Sequence, residues 1–276
     1  MSTESDLRNI IVEVGRRLYA KDFVAANDGN ISARITEDEL LITPTGVSKG
    51  FMSPDQIIKV NLKGEVLSGF MKPTTEMKMH LAVYRLRPGI RAVVHAHPPT
   101  ATGFAVAGVG FDRITLPEVV FNLGKIGLSE YATPTTEQVP AAVAKKICEC
   151  DAMLLANHGA LTVGTDLFDA YYKMETLEAV AKISLVAKLL GNENALTDAQ
   201  QKELFEIRSR LRPEDTGCIQ HADYPEQAVA TQEGGTNFCN GGTCTGEGTI
   251  GSCQTPTDLD RLIARITREM LPFLSK

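Results

Sequence analysis

The chain has little of what several protein classes require. None of its uninterrupted apolar runs approaches the roughly 20 residues of a membrane-spanning helix. The opening stretch, Met1 to Arg8, is polar and has no apolar signal-peptide core. There is no excess of positive charge: the formal net charge is −6. That balance gives no reason to propose nucleic acid as a partner. The six cysteines do not form a standard zinc pattern in their spacing. Cys148 and Cys150 sit at alternate positions near the end of an expected helix, which do not face each other. Cys218, Cys239, Cys244 and Cys253 are scattered through a polar tail together with His221. What remains is a cytoplasmic globular protein, 43% hydrophobic, long enough at 276 residues for one large domain or two small ones.

Histidine is also scarce, with five in the whole chain, and three of them fall in two short apolar-flanked segments. The first is Val94-His95-Ala96-His97-Pro98 and the second Asn157-His158-Gly159. Side chains alternate along a strand, so His95 and His97 point to one face and offer two imidazoles to one cation. His158 follows another apolar strand, Ala152 to Ala156, and can supply a third. Three protein ligands and an open position are what a catalytic zinc ion uses. Glu76, in Thr74-Thr75-Glu76, is placed to be a displaceable fourth ligand or a base. Taken alone, a His-x-His pair also occurs as ordinary hydrogen-bonded core histidines, and Glu76 as a simple helix-terminal acid. His80 lies one helical turn beyond Glu76 and reads as packing more readily than as support for the site.

Hydrophobic spacing predicts helices over 7–20, 76–86, 101–107, 139–148, 166–190 and 196–211. Strands are expected at 27–34 (after a turn), 40–43, 92–96, 152–156 and 161–163, with a hairpin of 57–61 and 65–67 around Lys63-Gly64. Helices and strands alternate without a strict βαβ rhythm. The expected architecture is therefore a three-layer α/β/α domain with a largely antiparallel central sheet, spanning 1–212. From 213 to 256 the composition turns to Gly, Thr, Gln, Asn and Ser, as in a flexible linker. In 257–276 helical periodicity returns: Leu259, Leu262, Ile263, Ile266 and Met270 form a stripe opposite Arg261, Arg265 and Arg268. Such an amphipathic helix needs a groove on a partner or on its own domain.

Five segments taken in order give a resemblance. They are Asp28-Gly29-Asn30-Ile31-Ser32, Thr43-Pro44-Thr45-Gly46, Pro73-Thr74-Thr75-Glu76, His95-Ala96-His97 and Asn157-His158-Gly159. Over residues 5 to 190 the chain resembles the class II aldolase and adducin family, and within it the L-fuculose-1-phosphate aldolases. The resemblance implies one Zn²⁺ per subunit held by His95, His97, His158 and, at rest, Glu76. Glu76 would then leave the metal and serve as the proton-transferring base. Gly29, Asn30, Thr45, Gly46, Thr74 and Thr75 would bind substrate phosphate, although each short segment standing alone is an ordinary turn. The resemblance further implies a homotetramer with sites at subunit interfaces, and a lyase of carbohydrate metabolism, in fucose degradation. Relatives include 4-epimerases of pentulose phosphates, sugar-phosphate dehydratases and the non-enzymatic adducin head; the retained histidines argue against the last. One departure stands out. A tyrosine proton donor of the family falls on Phe121, with Glu118 and Tyr131 the polar groups nearby in sequence. The linker and terminal stripe are similar in pattern to the encapsulation peptides that direct enzymes into bacterial microcompartments. That implies shell or cargo proteins as partners of 257–276.

Overall fold

Four strands of the chain are buried along their whole length, Asn30–Arg34, Ala92–Ala96, Ala152–Leu155 and Gly159–Gly164, so each is covered on both faces. Strands of that kind belong at the centre of a sheet clothed by helices. The computed structural model, which describes residues 3–211, puts them there.

The strands are β1 (Asn30–Arg34), β2 (Glu39–Ile42), β3 (Ile58–Asn61), β4 (Val66–Ser68), β5 (Ala92–Ala96), β6 (Ile126–Ser129), β7 (Ala152–Leu155) and β8 (Gly159–Gly164). They form one sheet in the order β4-β3-β2-β1-β5-β8-β7-β6. Every pairing is antiparallel except β6 with β7. The helices are α1 (Glu4–Ala20), α2 (Met77–Leu86), α3 (Pro99–Ala107), α4 (Gln138–Ala144), α5 (Leu167–Leu189) and α6 (Asp198–Leu211).

Alternation along the strands divides the core in two. Ile31, Ala33, Val94, Ala96 and Ala160 turn to one face and pack with Ile11, Val14 and Leu18 of α1, Ala101 and Ala105 of α3, and Met174 and Leu177 of α5. Leu40, Ile58, Val60, Val93, Leu161 and Val163 turn to the other, beneath Met79, Val83 and Leu86 of α2 and Val139 and Val143 of α4. Each of the larger side chains, the valines, leucines, isoleucines and methionines, contributes about 1.5–3 kcal/mol when fully buried. The result is the expected three-layer α/β/α arrangement. It also fixes which way the polar strand residues point. Asn30 and Ser32 sit at the opposite parity from Ile31 and Ala33, so they face α2.

Several boundaries differ from the spacing-based ones. Helix α1 starts before Leu7 because Thr3 and Asp6 form a reciprocal capping box, a polar signal outside the apolar stripe. Helix α3 begins at Pro99, proline being tolerated in a first turn. Helix α4 ends at Ala144 and the chain reaches Cys150 through turns. Strand β6 was not expected at all; it is four residues long and has a glycine in the middle. A short π-helical turn, Val119–Leu123, contains Phe121. The expected linker (213–256) and terminal helix (257–276), with Cys218, His221, Cys239, Cys244 and Cys253, lie outside the described residues.

Candidate metal and active site

Strands β1, β5 and β8 end together at one edge of the sheet, and the scarce histidines collect there. Asn30 of β1 is opposite His95 of β5 in register, and Ala96 of β5 is opposite Ala160 of β8. His158 immediately precedes β8. The ligand nitrogens of His95, His97 and His158 all lie within 4.8 Å of one another. The three rings form a closed triangle, with centroid separations of 4.7 to 5.3 Å.

Local backbone chemistry makes this triangle possible. Asn157 has φ of 56°, in the left-handed region that asparagine tolerates better than most residues. It turns the chain so that His158 faces the other two rings. Gly159 must be glycine for packing reasons. A Cβ there would meet Cδ2 of His97 at 2.5 Å and the Ala96 carbonyl oxygen at 2.7 Å. Gly29 is similarly constrained: its φ is +72°, and a Cβ would stand 2.9 Å from the His95 carbonyl oxygen.

Glu76 sits at the N-cap position of α2, but its side chain makes no capping bond. Its Oε2 lies 3.3 Å from Nε2 of His95, and its Oε1 lies 3.2 Å from Nε2 of His158. Asn30 Nδ2 donates to Oε2 at 2.8 Å. Oε1 is buried and has no hydrogen-bond partner, although His158 Nε2 stands close to it. Burial pushes the Glu76 carboxyl up, yet the adjacent His95 and His158 outweigh it, and the group is held far below the usual carboxylate range. His97 is lowered as well, which in an imidazole favours the neutral form: burial and the neighbouring imidazoles bring it down to about 4. Asp28 Oδ2 is 3.6 Å from its Nδ1.

This donor set fits a divalent cation. Nδ1 of His95, a fully buried ring, donates to the Ala160 carbonyl oxygen at 2.9 Å. In the neutral ring this leaves Nε2 as a lone-pair donor. That lone pair faces Nε2 of His97 at 3.2 Å. An orphaned carboxylate oxygen also points into the same space. A buried acceptor left without a donor, as that oxygen is, costs about 1–3 kcal/mol. A cation satisfies it together with the ring nitrogens.

The expected phosphate segments converge on the same edge. Pro44 and Pro73 form an isolated antiparallel bridge. Around it Thr45 N donates to the Lys72 carbonyl and Thr74 N to the Thr43 carbonyl, each at 3.0 Å. Thr45-Gly46 and Thr74-Thr75 therefore lie side by side. Thr43 joins them to β1, its Oγ1 accepting from Ile31 N at 3.1 Å. Thr75 is exposed, whereas Thr74 is buried and its hydroxyl accepts from Glu76 N at 3.3 Å. Two residues not foreseen complete the arrangement. Lys49 is buried, and its ammonium donates to the carbonyls of Asn27 (2.9 Å) and Val47 (2.6 Å), lacing the first two segments together. Burial brings its pKa down to about 8. A lysine two residues after a valine carries no sequence signal for this role. Asp28 opens the Asp28-Gly29-Asn30-Ile31-Ser32 segment, and nothing in its sequence neighbourhood points to His97 as its partner. Small clefts beside the site are lined by Ser129, Glu130 and Ala132 near His158, and by Thr135 and Thr136 near Glu76. Tyr131 is exposed, and neither it, Phe121 nor Glu118 lines these clefts.

The family model for the class II aldolase and adducin N-terminal domain matches residues 9–185. The chain belongs to that family. An L-fuculose phosphate aldolase of Methanocaldococcus jannaschii is 35% identical over 179 residues, covering 65% of this chain and 96% of the relative. A 3-oxo-tetronate 4-phosphate decarboxylase of Escherichia coli K12 is 33% identical over 210 residues, covering 75% and 97%. Among solved structures, an L-fuculose 1-phosphate aldolase superposes with a TM-score of 0.70 at 29% identity, covering 75% of this chain and 97% of the other. Class II aldolase family members are lyases, and the histidine triangle of this member is compatible with a metal site. No described helix is long and apolar enough to cross a membrane.

Proposed function

We propose that the protein is a zinc-dependent lyase that cleaves a ketose 1-phosphate, L-fuculose 1-phosphate first among them, to dihydroxyacetone phosphate and L-lactaldehyde. The observation that carries this reading is the buried Glu76 oxygen without a hydrogen bond, aimed among three converging imidazoles. His95, His97 and His158 would hold the ion, with Glu76 completing the set at rest. When bound, zinc supplies a Lewis acid for the negative charge that develops on substrate oxygens as the carbon–carbon bond breaks. The side-by-side segments Gly29-Asn30, Thr45-Gly46 and Thr74-Thr75 offer backbone amides and hydroxyls to the phosphate. Glu76 moves the proton at the carbon beside the ketone, protonating it in cleavage and removing the proton in condensation.

A second reading is favoured by Phe121. Aldol cleavage must also remove a proton from the hydroxyl that becomes the aldehyde, and phenylalanine cannot accept it. Decarboxylation of a 3-oxo-tetronate 4-phosphate needs no such group. The bond to the carboxylate breaks, carbon dioxide leaves, and the carbon left behind receives a proton that Glu76 takes up from water and passes on, giving the same dihydroxyacetone phosphate. Purified protein incubated separately with L-fuculose 1-phosphate and with 3-oxo-tetronate 4-phosphate distinguishes them. Dihydroxyacetone phosphate with lactaldehyde supports the aldolase; dihydroxyacetone phosphate with carbon dioxide supports the decarboxylase. Product from neither overturns both.

The homotetramer belongs to the same proposal, and so does recruitment to a bacterial microcompartment through 257–276, which rests on the apolar stripe in that sequence. Fusing 257–276 to a fluorescent protein should bring it to shell assemblies, and Ile266→Asp should weaken this by charging the stripe. If truncation after Leu211 instead abolishes activity or dissolves the oligomer, the tail belongs to the enzyme and the targeting reading fails.

A further inference from the structure

Behind Glu76, on the α2 side of the sheet, runs a line of buried polar groups for which metal binding and phosphate binding have no need. Tyr84, Ser32, His80 and Asn30 are all buried, and the side chains of Ser32 and His80 are completely so. Tyr84 Oη is 2.9 Å from Ser32 Oγ, and Ser32 Oγ is 2.6 Å from His80 Nδ1. His80 Nε2 is 2.5 Å from Asn30 Oδ1, and Asn30 Nδ2 is 2.8 Å from Glu76 Oε2.

The direction of every bond follows from its end. An ionised carboxylate only accepts, so Asn30 must present its nitrogen to Glu76. Its oxygen, which also only accepts, then faces His80, so His80 Nε2 carries the hydrogen. A neutral imidazole has one donor and one acceptor, so His80 Nδ1 accepts, and Ser32 is the donor. Ser32 Oγ in turn accepts from Tyr84. Reversing one bond requires reversing the asparagine and the imidazole together. His80 is also kept neutral by its surroundings: burial, then the nearby His95, brings it down to about 3.

We propose that Ser32 and His80, with Tyr84 only closing the far end, form a one-way hydrogen-bond relay that holds the Asn30 amide with its nitrogen toward Glu76, which makes His80 a positioning residue for the carboxylate. The inference rests on reading Glu76 as the proton-transferring group. It gives the Asn30 side chain a task other than phosphate binding. It commits Glu76 Oε2 to a fixed donor, and leaves Oε1, which accepts no hydrogen bond, as the oxygen open to substrate.

The test uses the full-length holoprotein and two conservative changes. Ser32→Ala removes the donor to His80 Nδ1 and leaves that buried nitrogen unpaired, so the ring is held from the Asn30 side alone; Tyr84→Phe leaves the donor in place. Nitrogen-detected NMR of the imidazoles should find His80 in the Nε2–H form in wild type and in Tyr84→Phe, and less completely in that form in Ser32→Ala. Bound metal per subunit should stay the same in all three. On whichever substrate the protein turns over, Ser32→Ala should lower kcat by about 10–100-fold with KM within about twofold, the loss typical of removing a supporting partner. Tyr84→Phe should stay within about threefold of wild type. A merely structural role would lower the melting temperature of Ser32→Ala and leave kcat unchanged, which would overturn the proposal. So would an Nδ1–H or doubly protonated His80 in wild type. If no sugar phosphate is turned over, the functional reading fails on its own, while the tautomer still decides whether the relay has this direction.

Discussion

Two buried charged clusters in this protein look alike by charge and burial and differ in one respect. Asp151, before β7, sits among Arg87, Lys173 and Arg208. Its Oδ1 accepts from Arg87 at 2.8 Å, and its Oδ2 accepts from Lys173 at 3.0 Å and from Arg208 at 3.4 Å. Glu76 sits among three imidazoles. In both, burial pushes the acid up and the neighbours, cations at Asp151 and imidazoles at Glu76, more than reverse it. A depressed carboxyl pKa therefore does not mark the functional site. Satisfaction does. Both Asp151 oxygens have donors fixed in place, whereas Glu76 keeps one oxygen without any. The first cluster ties α2, α5 and α6 to the sheet. The second is complete only with something added.

The comparison breaks most sharply if the added component is not a metal. His95→Ala should lose bound zinc and bring activity to background while the protein still unfolds cooperatively. Metal analysis alongside a melting curve checks both. Full wild-type activity after exhaustive chelation would show that the Glu76 cluster is as closed as the Asp151 cluster. Next in size is Glu76→Gln. It keeps the shape and removes the base, and should cost about 10²–10⁴-fold in exchange of the dihydroxyacetone phosphate proton with solvent, with substrate still bound. Exchange near the wild-type rate would assign the base elsewhere.

Asp151→Ala should do the reverse. It strands buried cations, so it should lower folding stability by about 3–5 kcal/mol in denaturant titration while metal content is unchanged. Loss of metal instead would mean that the two clusters are coupled. The smallest effect is in pH. The folded pKa of Asp151 is held below its ordinary 3.8 by Lys173 and Arg87 against the cost of burial. Its pairing therefore stabilises the fold fully above that ordinary value, and the stabilisation is lost as pH falls through the lower folded value. Stability measured below pH 4 should consequently fall less steeply in Asp151→Asn than in wild type.

The sheet and most helices could be read from apolar periodicity because both faces of the sheet are covered by aliphatic packing. What escaped detection had a different physical basis. The first turn of α1 is set by a side-chain cap, and β6 is held by pairing with β7 rather than by its own pattern. At the site, His-x-His parity and the Asn-His-Gly turn could be read because each depends on neighbours in sequence. Lys49 and Asp151 could not, since their partners lie on distant segments. His80 is the instructive case. Asn30, Ser32 and Arg34 are polar at alternate positions of a strand that is otherwise apolar, which was a visible sign that α2 must bring polar partners to that face. His80 is one of them.

The seam between β1 and β5 has a consequence for how the protein would fail under stress. All three imidazoles come from the part of the chain at and beyond β5, while Glu76 and Asn30 come from the part before it. The two parts meet through long-range pairing across β1 and β5, the kind of contact that is slow to form. A slight parting of that seam would separate the carboxylate from the histidines before the histidines separate from one another. In a urea gradient, catalysis should therefore disappear at a concentration at which the metal is still retained.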